Sequence, residues 1–134
     1  PIYFSRTVGL YGDQFGFTGR LEGHGFARLL REHELVPSDS IKGIQSLGYV
    51  NVPRTTALMF EVYHADAAAR PRPRGWVDKP SEGILSLYGL TYYTMAQELQ
   101  GSQSALAARA QQIAQAVFRN TETMLQPLPE RPVR

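Results

Sequence analysis

Three histidines are the first side chains in this sequence that could bind a metal ion or accept a proton: His24, His33 and His64. No two of them stand in the H-E-x-x-H or H-x-H spacing that brings two imidazoles to one metal ion. His33 lies between Glu32 and Glu34, in a charged run that is typical of an exposed surface. The sequence therefore predicts no metal site and no catalytic histidine.

Other patterns that could hold a phosphate or form a nucleophile are incomplete. The glycines between residues 9 and 25 superficially resemble a phosphate-binding loop, but they lack the Gly-Lys-Ser/Thr ending and the dinucleotide-binding spacing. No serine stands in the G-x-S-x-G frame that exposes a nucleophile, and the absence of cysteine excludes thiol and iron–sulfur chemistry. We expect a non-enzymatic chain without a cofactor; a free-standing hydrolase has the least support.

The most distinctive local chemistry lies in residues 70–76, where arginine and proline alternate beside the only tryptophan. The prolines stiffen the backbone and spread the guanidinium groups of Arg70, Arg72 and Arg74. This segment could clamp an acidic partner or stack a sugar on Trp76. The structural alternative, which we favour for Trp76, is an anchor buried in the core.

Both ends of the chain have patterns that suit contacts with another molecule. Residues 1–8 favour a short strand, and its terminal position predicts a sheet edge with unpaired backbone groups. Residues 126–134 contain three prolines and predict an extended segment. This segment either packs against a neighbour or folds back on its own domain. The predicted interaction residues are Ile2, Tyr3, Phe4, Arg70, Arg72, Arg74, Trp76, Pro127, Leu128, Pro129 and Arg131.

The clearest elements are two helices in the last third of the chain. Apolar side chains recur at three- and four-residue steps from residue 81 to residue 99, and again from residue 104 to residue 125. Gly101 and Ser102 suit the end of one helix and the start of the next. Because the turn is so short, two helices of roughly 18–24 residues must pack antiparallel.

The first half predicts a small β-sheet with irregular connections. Residues 26–31 suit a strand that pairs with residues 1–8 or a short helix, and we favour the strand, whereas residues 55–64 fit a helix or a strand equally well. The connections are expected to be turns: residues 9–25, with one helical turn around residues 15–21, and residues 37–53, around a short segment at 41–47. We therefore expect one α+β domain, residues 1–134, in four parts: a mixed strand and loop part (1–64), an Arg/Pro-rich loop (65–80), a helical hairpin (81–125) and a tail (126–134).

Size and composition limit the function classes. The 134 residues are 43% hydrophobic and 19% charged, which suits one ordinary folded domain. The net charge is only +2 and the basic side chains form no block, so we expect no nucleic-acid partner. No apolar run approaches the roughly 18 residues that cross a bilayer, so no membrane span is expected in this chain.

The order of motifs resembles a known family. PIYFS at residues 1–5, LEGHGFARLL at residues 21–30, WVDKP at residues 76–80 and the Ala- and Tyr-rich hairpin follow one another. They resemble the soluble C-terminal region of a bacterial family of multi-pass membrane proteins, similar to transmembrane protein O-mannosyltransferases of GT-C architecture. The resemblance implies a tetratricopeptide-like hairpin, an extracytoplasmic location and catalytic residues upstream in a membrane-embedded precursor. In this chain the family's Val-Pro is displaced to residues 36–37, and only one helical pair is present.

Two functional hypotheses follow from these patterns. In the first, the chain is a non-catalytic extracytoplasmic domain, released from a larger membrane protein at Pro1, that self-associates into an oligomer or surface filament through its edge strand and tail. In the second, it is the acceptor-binding or lid domain of a membrane glycosyltransferase and binds a protein or glycan acceptor. Neither hypothesis requires a metal or a cofactor.

Overall fold

The computed structural model of the protein describes residues 1–71 and 79–125, with side chains over residues 1–71 and 80–121. The strands are β1 (Tyr3–Ser5), β2 (Leu21–His24), β3 (Ala27–Leu30), β4 (Ile41–Ile44) and β5 (Gly48–Asn51). The α-helices are α1 (Tyr11–Gln14), α2 (Val52–Ala57), α3 (Ala65–Ala69), α4 (Lys79–Leu99) and α5 (Ser104–Leu125). A 3₁₀ turn (Arg6–Val8) follows β1, and a π-helical segment (Leu58–Val62) extends α2.

The five strands form one sheet in the order β1-β3-β2-β5-β4. All neighbouring pairs are antiparallel except β2 and β5, which run parallel. β1 lies at one edge and pairs with β3, with Tyr3 opposite Leu29. The predicted edge strand and its pairing with residues 26–31 are therefore confirmed, as is the α+β class.

The predicted loop at residues 9–25 is wrong at its end, where Leu21–His24 form the strand β2. Gly23 concealed this strand, because glycine inside a strand weakens the sequence signal. The structure gives the reason for the glycine. A Cβ atom at Gly23 would lie 2.5 Å from an Nη atom of Arg6 and 3.0 Å from the backbone oxygen of Tyr49.

The helical alternative holds for residues 55–64 up to Val62, as α2 and its π-helical extension. The side chain of Asn51 caps α2, because its Oδ1 accepts a hydrogen bond of 3.0 Å from the backbone N–H of Arg54. Pro53 lies in the first turn, where its missing N–H is not needed.

The loop predicted over residues 65–80 is also partly wrong, since α3 occupies its first five residues and α4 begins at Lys79. α3 is stabilised by packing: Ala65 and Ala68 are buried. The buried Asn120 of α5 donates hydrogen bonds of 2.8 and 2.7 Å to the carbonyls of Ala68 and Arg70. Such long-range contacts leave no local sequence pattern.

α4 and α5 pack as the predicted hairpin. Tyr92, Met95 and Leu99 of α4 are fully buried, and Tyr92 donates a hydrogen bond of 2.6 Å to the carbonyl of Met59. This core continues through α3 to Leu47 and Val50 beside the sheet. Of the helices in the described ranges, none has the length and apolar character that crossing a bilayer requires.

Candidate functional site

The backbone of β1 presents hydrogen-bonding groups away from the sheet. The N–H of Leu30 donates to the carbonyl of Ile2 at 2.9 Å, and the N–H of Arg6 donates to the carbonyl of Phe26 at 2.9 Å. Residues 2 and 6 therefore face β3. Because antiparallel strands alternate, the backbone groups of Tyr3 and Ser5 point outward, where a further strand could pair with them. The C=O of Ser5 also accepts the first hydrogen bond of the 3₁₀ turn, which Ser5 caps.

Large apolar side chains surround this edge. Ile2 is 60% exposed and Tyr3 is 53% exposed. On the other side of the strand, Tyr11 begins α1 and Phe15 directly follows it. Their rings meet edge to face at 5.0 Å, and both side chains are also exposed. An exposed apolar cluster next to an open strand edge is typical of a protein–protein contact.

The third predicted residue of the strand, Phe4, lies differently. It is half-buried, and its ring centroid is 6.1 Å from that of Phe17, which in turn stacks on Phe15 at 6.2 Å. Phe4 also contacts the position of Gly12, where a Cβ atom would lie 3.6 Å from its ring. Phe4 therefore anchors α1 to the strand and positions the exposed rings beside the edge.

A charged cluster lies on the same face of the sheet as Tyr3. Tyr3, Leu29 and Glu22 form one cross-strand row, and His24 follows two residues later on β2. The carboxylate of Glu22 accepts a hydrogen bond from Nε2 of His24 and two, of 3.2 and 3.1 Å, from Nη2 of Arg31. The rings of Tyr3 and His24 are 6.1 Å apart.

Glu22 is ionised at neutral pH although it is only 3% exposed. Burial by itself raises the pKa of this carboxyl, but the hydrogen bonds from His24 and Arg31 and the charge of Arg31 together lower it below its ordinary value of 4.5. The buried carboxylate thus holds an imidazole and a guanidinium beside Tyr3. Together these groups form a face that is rich in hydrogen-bond donors.

The predicted interaction residues that the structure describes do not all lie on one surface. Arg70 is exposed at the end of α3, an element that packs on α5, whereas Ile2, Tyr3 and Phe4 lie on the edge strand. The remaining predicted residues lie outside the described ranges: Arg72, Arg74, Trp76, Pro127, Leu128, Pro129 and Arg131.

Sequence reasoning missed the rings on α1 and the charged cluster. Tyr11 and Phe15 are four residues apart, the spacing that brings side chains together on one turn of helix. Glu22 and His24 are two residues apart, so they share a face once β2 is recognised as a strand. Both signals were hidden by the glycines around them, which favoured a loop.

In comparisons with known proteins, no family model, no curated protein and no solved structure matches the chain.

Proposed function

We propose that this chain is a non-catalytic, extracytoplasmic interaction domain that self-associates by pairing β1 of one copy with β1 of a second copy. The observation that carries the proposal is the edge of β1, where Tyr3 and Ser5 direct backbone groups outward and no other strand of the described residues pairs with them. The location outside the cytoplasm rests on the sequence resemblance alone.

Antiparallel pairing about a two-fold axis at Phe4 places Tyr3 of one copy opposite Ser5 of the other. Each such pair exchanges two backbone hydrogen bonds, so the contact contains about four. In two of them the C=O of Ser5 accepts a second bond beside that of the 3₁₀ turn. The two sheets then become one continuous sheet. The contact is isologous, because each copy contributes the same segment.

Backbone pairing over three residues is too small for a stable dimer, which buries roughly 1,200–2,000 Å² in total. The exposed side chains around β1 supply further area on both sides of the strand. Tyr3 points to one face of the sheet, and its neighbour Ile2 points to the opposite face, beside which Tyr11 and Phe15 lie. Aromatic side chains are the ones that dominate protein interfaces energetically.

The opposite edge of the sheet is less suited to pairing. β4 carries Lys42, and a lysine on an edge strand opposes the approach of another strand. A pairing of β1 with β4 would be heterologous and would continue into a filament. The lysine favours the closed two-fold pair.

Two substitutions of one residue test the proposal by size-exclusion chromatography with light scattering. Tyr3→Pro removes the outward N–H at a place where an edge strand tolerates proline. Tyr3→Thr keeps the N–H and a β-branched side chain. We expect dimers for the natural chain, monomers for Tyr3→Pro and weaker dimers for Tyr3→Thr. A natural chain that stays monomeric up to about 1 mM, or a Tyr3→Pro variant that dimerises normally, would refute the proposal.

A second candidate function is favoured by the charged cluster beside Tyr3. An exposed aromatic ring next to His24 and Arg31 combines a stacking surface with hydrogen-bond donors, as a glycan acceptor requires. The chain would then be the acceptor-binding or lid domain of a larger glycosyltransferase. Saturation-transfer NMR with a panel of oligosaccharides tests this function, and loss of the signal in Tyr3→Ala is the expected result. Equal signals in the natural chain and the variant would contradict it.

A further inference from the structure

Arg6 is a largely buried cation whose partners are neutral. Its Nε donates a hydrogen bond of 2.7 Å to the carbonyl of Gly25, and its Nη1 donates one of 3.0 Å to the carbonyl of Leu47. The guanidinium lies over Gly23, in the space that a side chain there would fill. Within the described part of the chain, no carboxylate forms an ion pair with Arg6.

A second arginine lies on the same face of the sheet. Arg28 is directly opposite Gly23 in the register of β2 and β3. Its Nη2 donates to the carbonyl of Gly9 at 2.6 Å, and its Nη1 is 3.4 Å from the carboxylate of Asp13. Its Nε is buried and has no hydrogen-bond partner among the residues that the structure describes. Buried donors of this kind are rare, because each loses its bond with water.

The balance of charge around the two arginines is positive. Asp13 is the carboxylate paired with Arg28, and it also accepts a hydrogen bond of 3.1 Å from the hydroxyl of Thr18. Burial, and then repulsion from Arg28, lowers the pKa of Arg6 to about 10. Among the described residues, Arg28 therefore has one carboxylate partner and the part-buried Arg6 has none.

A cavity of about 340 Å³ opens beside these groups, between the N-terminal segment and α4. Its polar lining consists of the two arginines, Ser46 and the carboxylate of Asp13, so two cations and one anion face the cavity. Ser46 has φ +77°, a left-handed conformation that is strained for a residue with a side chain and is often found at functional sites. The apolar wall of the cavity is formed by Leu10, Leu87 and Leu90. Leu10 is 71% exposed and Leu90 is 38% exposed, so the apolar wall opens to solvent.

We propose that this cavity binds an oxyanion carried on an apolar body, such as an alkyl phosphate. The guanidinium groups of Arg6 and Arg28 bind the anionic group, since charged hydrogen bonds from arginine fit phosphate and carboxylate oxygens. Leu10, Leu87 and Leu90 contact the apolar body. The site lies on the face of the sheet opposite Tyr3, and it does not depend on the pairing of β1.

The experiment is a calorimetric titration at pH 7.5 and about 0.15 M salt, with inorganic phosphate and hexyl phosphate as probes. We expect saturable binding of hexyl phosphate and binding of inorganic phosphate that is at least about tenfold weaker, because the alkyl chain adds apolar contact. No saturation up to about 10 mM, or equal affinity for the two probes, would overturn the proposal.

Matched variants locate the site. Arg28→Gln should weaken binding of hexyl phosphate by at least about tenfold, whereas Arg20→Gln, which removes an exposed arginine of equal charge, should change it less than about twofold. Equal losses would show attraction by net charge alone and would overturn the site. If Arg28→Gln does not fold, a second pair of variants tests the site. Leu90→Glu adds a negative charge at the opening of the cavity, and Leu90→Gln adds none. Leu90→Glu should bind about tenfold more weakly than Leu90→Gln, and equal affinities would refute the proposal.

Discussion

Two glycines of α4 allow the packing of the hairpin to be tested with one substitution made twice. Gly83 is exposed, and a Cβ atom there would meet no atom within 4 Å. Gly89 faces α5, and a Cβ atom there would lie 2.7 and 3.0 Å from the ring of Phe118. Both changes to alanine gain the same helix propensity, about 0.8–1.0 kcal/mol. The difference between them therefore isolates the steric conflict.

Inserting a methyl group into a packed contact costs about 1–3 kcal/mol. Phe118 is half-buried, so its ring has room to move outward and the lower part of that range applies. We expect Gly89→Ala to be less stable than Gly83→Ala by about 1–2 kcal/mol. An unfolding entropy of about 2.1 cal/mol/K per residue over 134 residues converts this to a Tm difference of about 4–7 °C.

Thermal unfolding followed by circular dichroism measures both variants. Gly83→Ala should raise the Tm above that of the natural chain. In a Phe118→Leu background, the Tm difference between the two alanine variants should shrink, because the smaller side chain leaves room for the added methyl group. If Gly89→Ala and Gly83→Ala are equally stable, the two helices do not approach at Gly89 and the described hairpin packing is wrong.

Three further perturbations test other contacts of the fold. Tyr92→Phe should lower the free energy of unfolding by about 1–2 kcal/mol in urea titrations, because the buried carbonyl of Met59 loses its donor; an unchanged value would contradict this contact. Asn120→Ala should cost about 1–3 kcal/mol by the same assay, since two carbonyls at the end of α3 lose their donor; a loss below about 0.5 kcal/mol would show that α3 does not dock on α5. The lowered pKa of Glu22 stabilises the fold above pH 4.5, and this stability is lost as the pH falls through the folded-state pKa. Glu22→Gln should therefore flatten the acid limb of a stability–pH curve, and a curve parallel to that of the natural chain would refute the assignment.

The helical hairpin was predictable because its signal is local. Leu85, Tyr92 and Met95 repeat at helical spacing, and they form the buried face. The strand at β1 was predictable for a similar reason, since the β-branched and aromatic residues of its segment are themselves the strand signal, and the structure places it at the sheet edge. In both cases, the residues that carry the pattern also form the structure.

The missed features depend on contacts between distant parts of the chain. Gly23 looks like a turn residue, yet it lies in β2. The residue there is glycine because the guanidinium of Arg6 occupies the space that a side chain would need. α3 is stabilised by Asn120, which is about fifty positions further along the sequence. The charged cluster beside Tyr3 requires β1, β2 and Arg31 to be brought together. No periodicity within a window of ten residues contains this information.

Hydrogen exchange at the outward-facing amides tests the central claim most directly. Pairing of β1 with a second β1 buries the N–H groups of Tyr3 and Ser5. On the other edge, the N–H of Gly43 stays open, because the alternation set by the bond from Val52 to Ser40 turns Gly43 outward. We predict that exchange at Tyr3 and Ser5 slows at least about tenfold as the protein concentration rises from about 10 µM to 1 mM, while exchange at Gly43 does not change. If exchange at Tyr3 and Ser5 stays as fast as exchange at Gly43 over this concentration range, the result contradicts the proposed self-association.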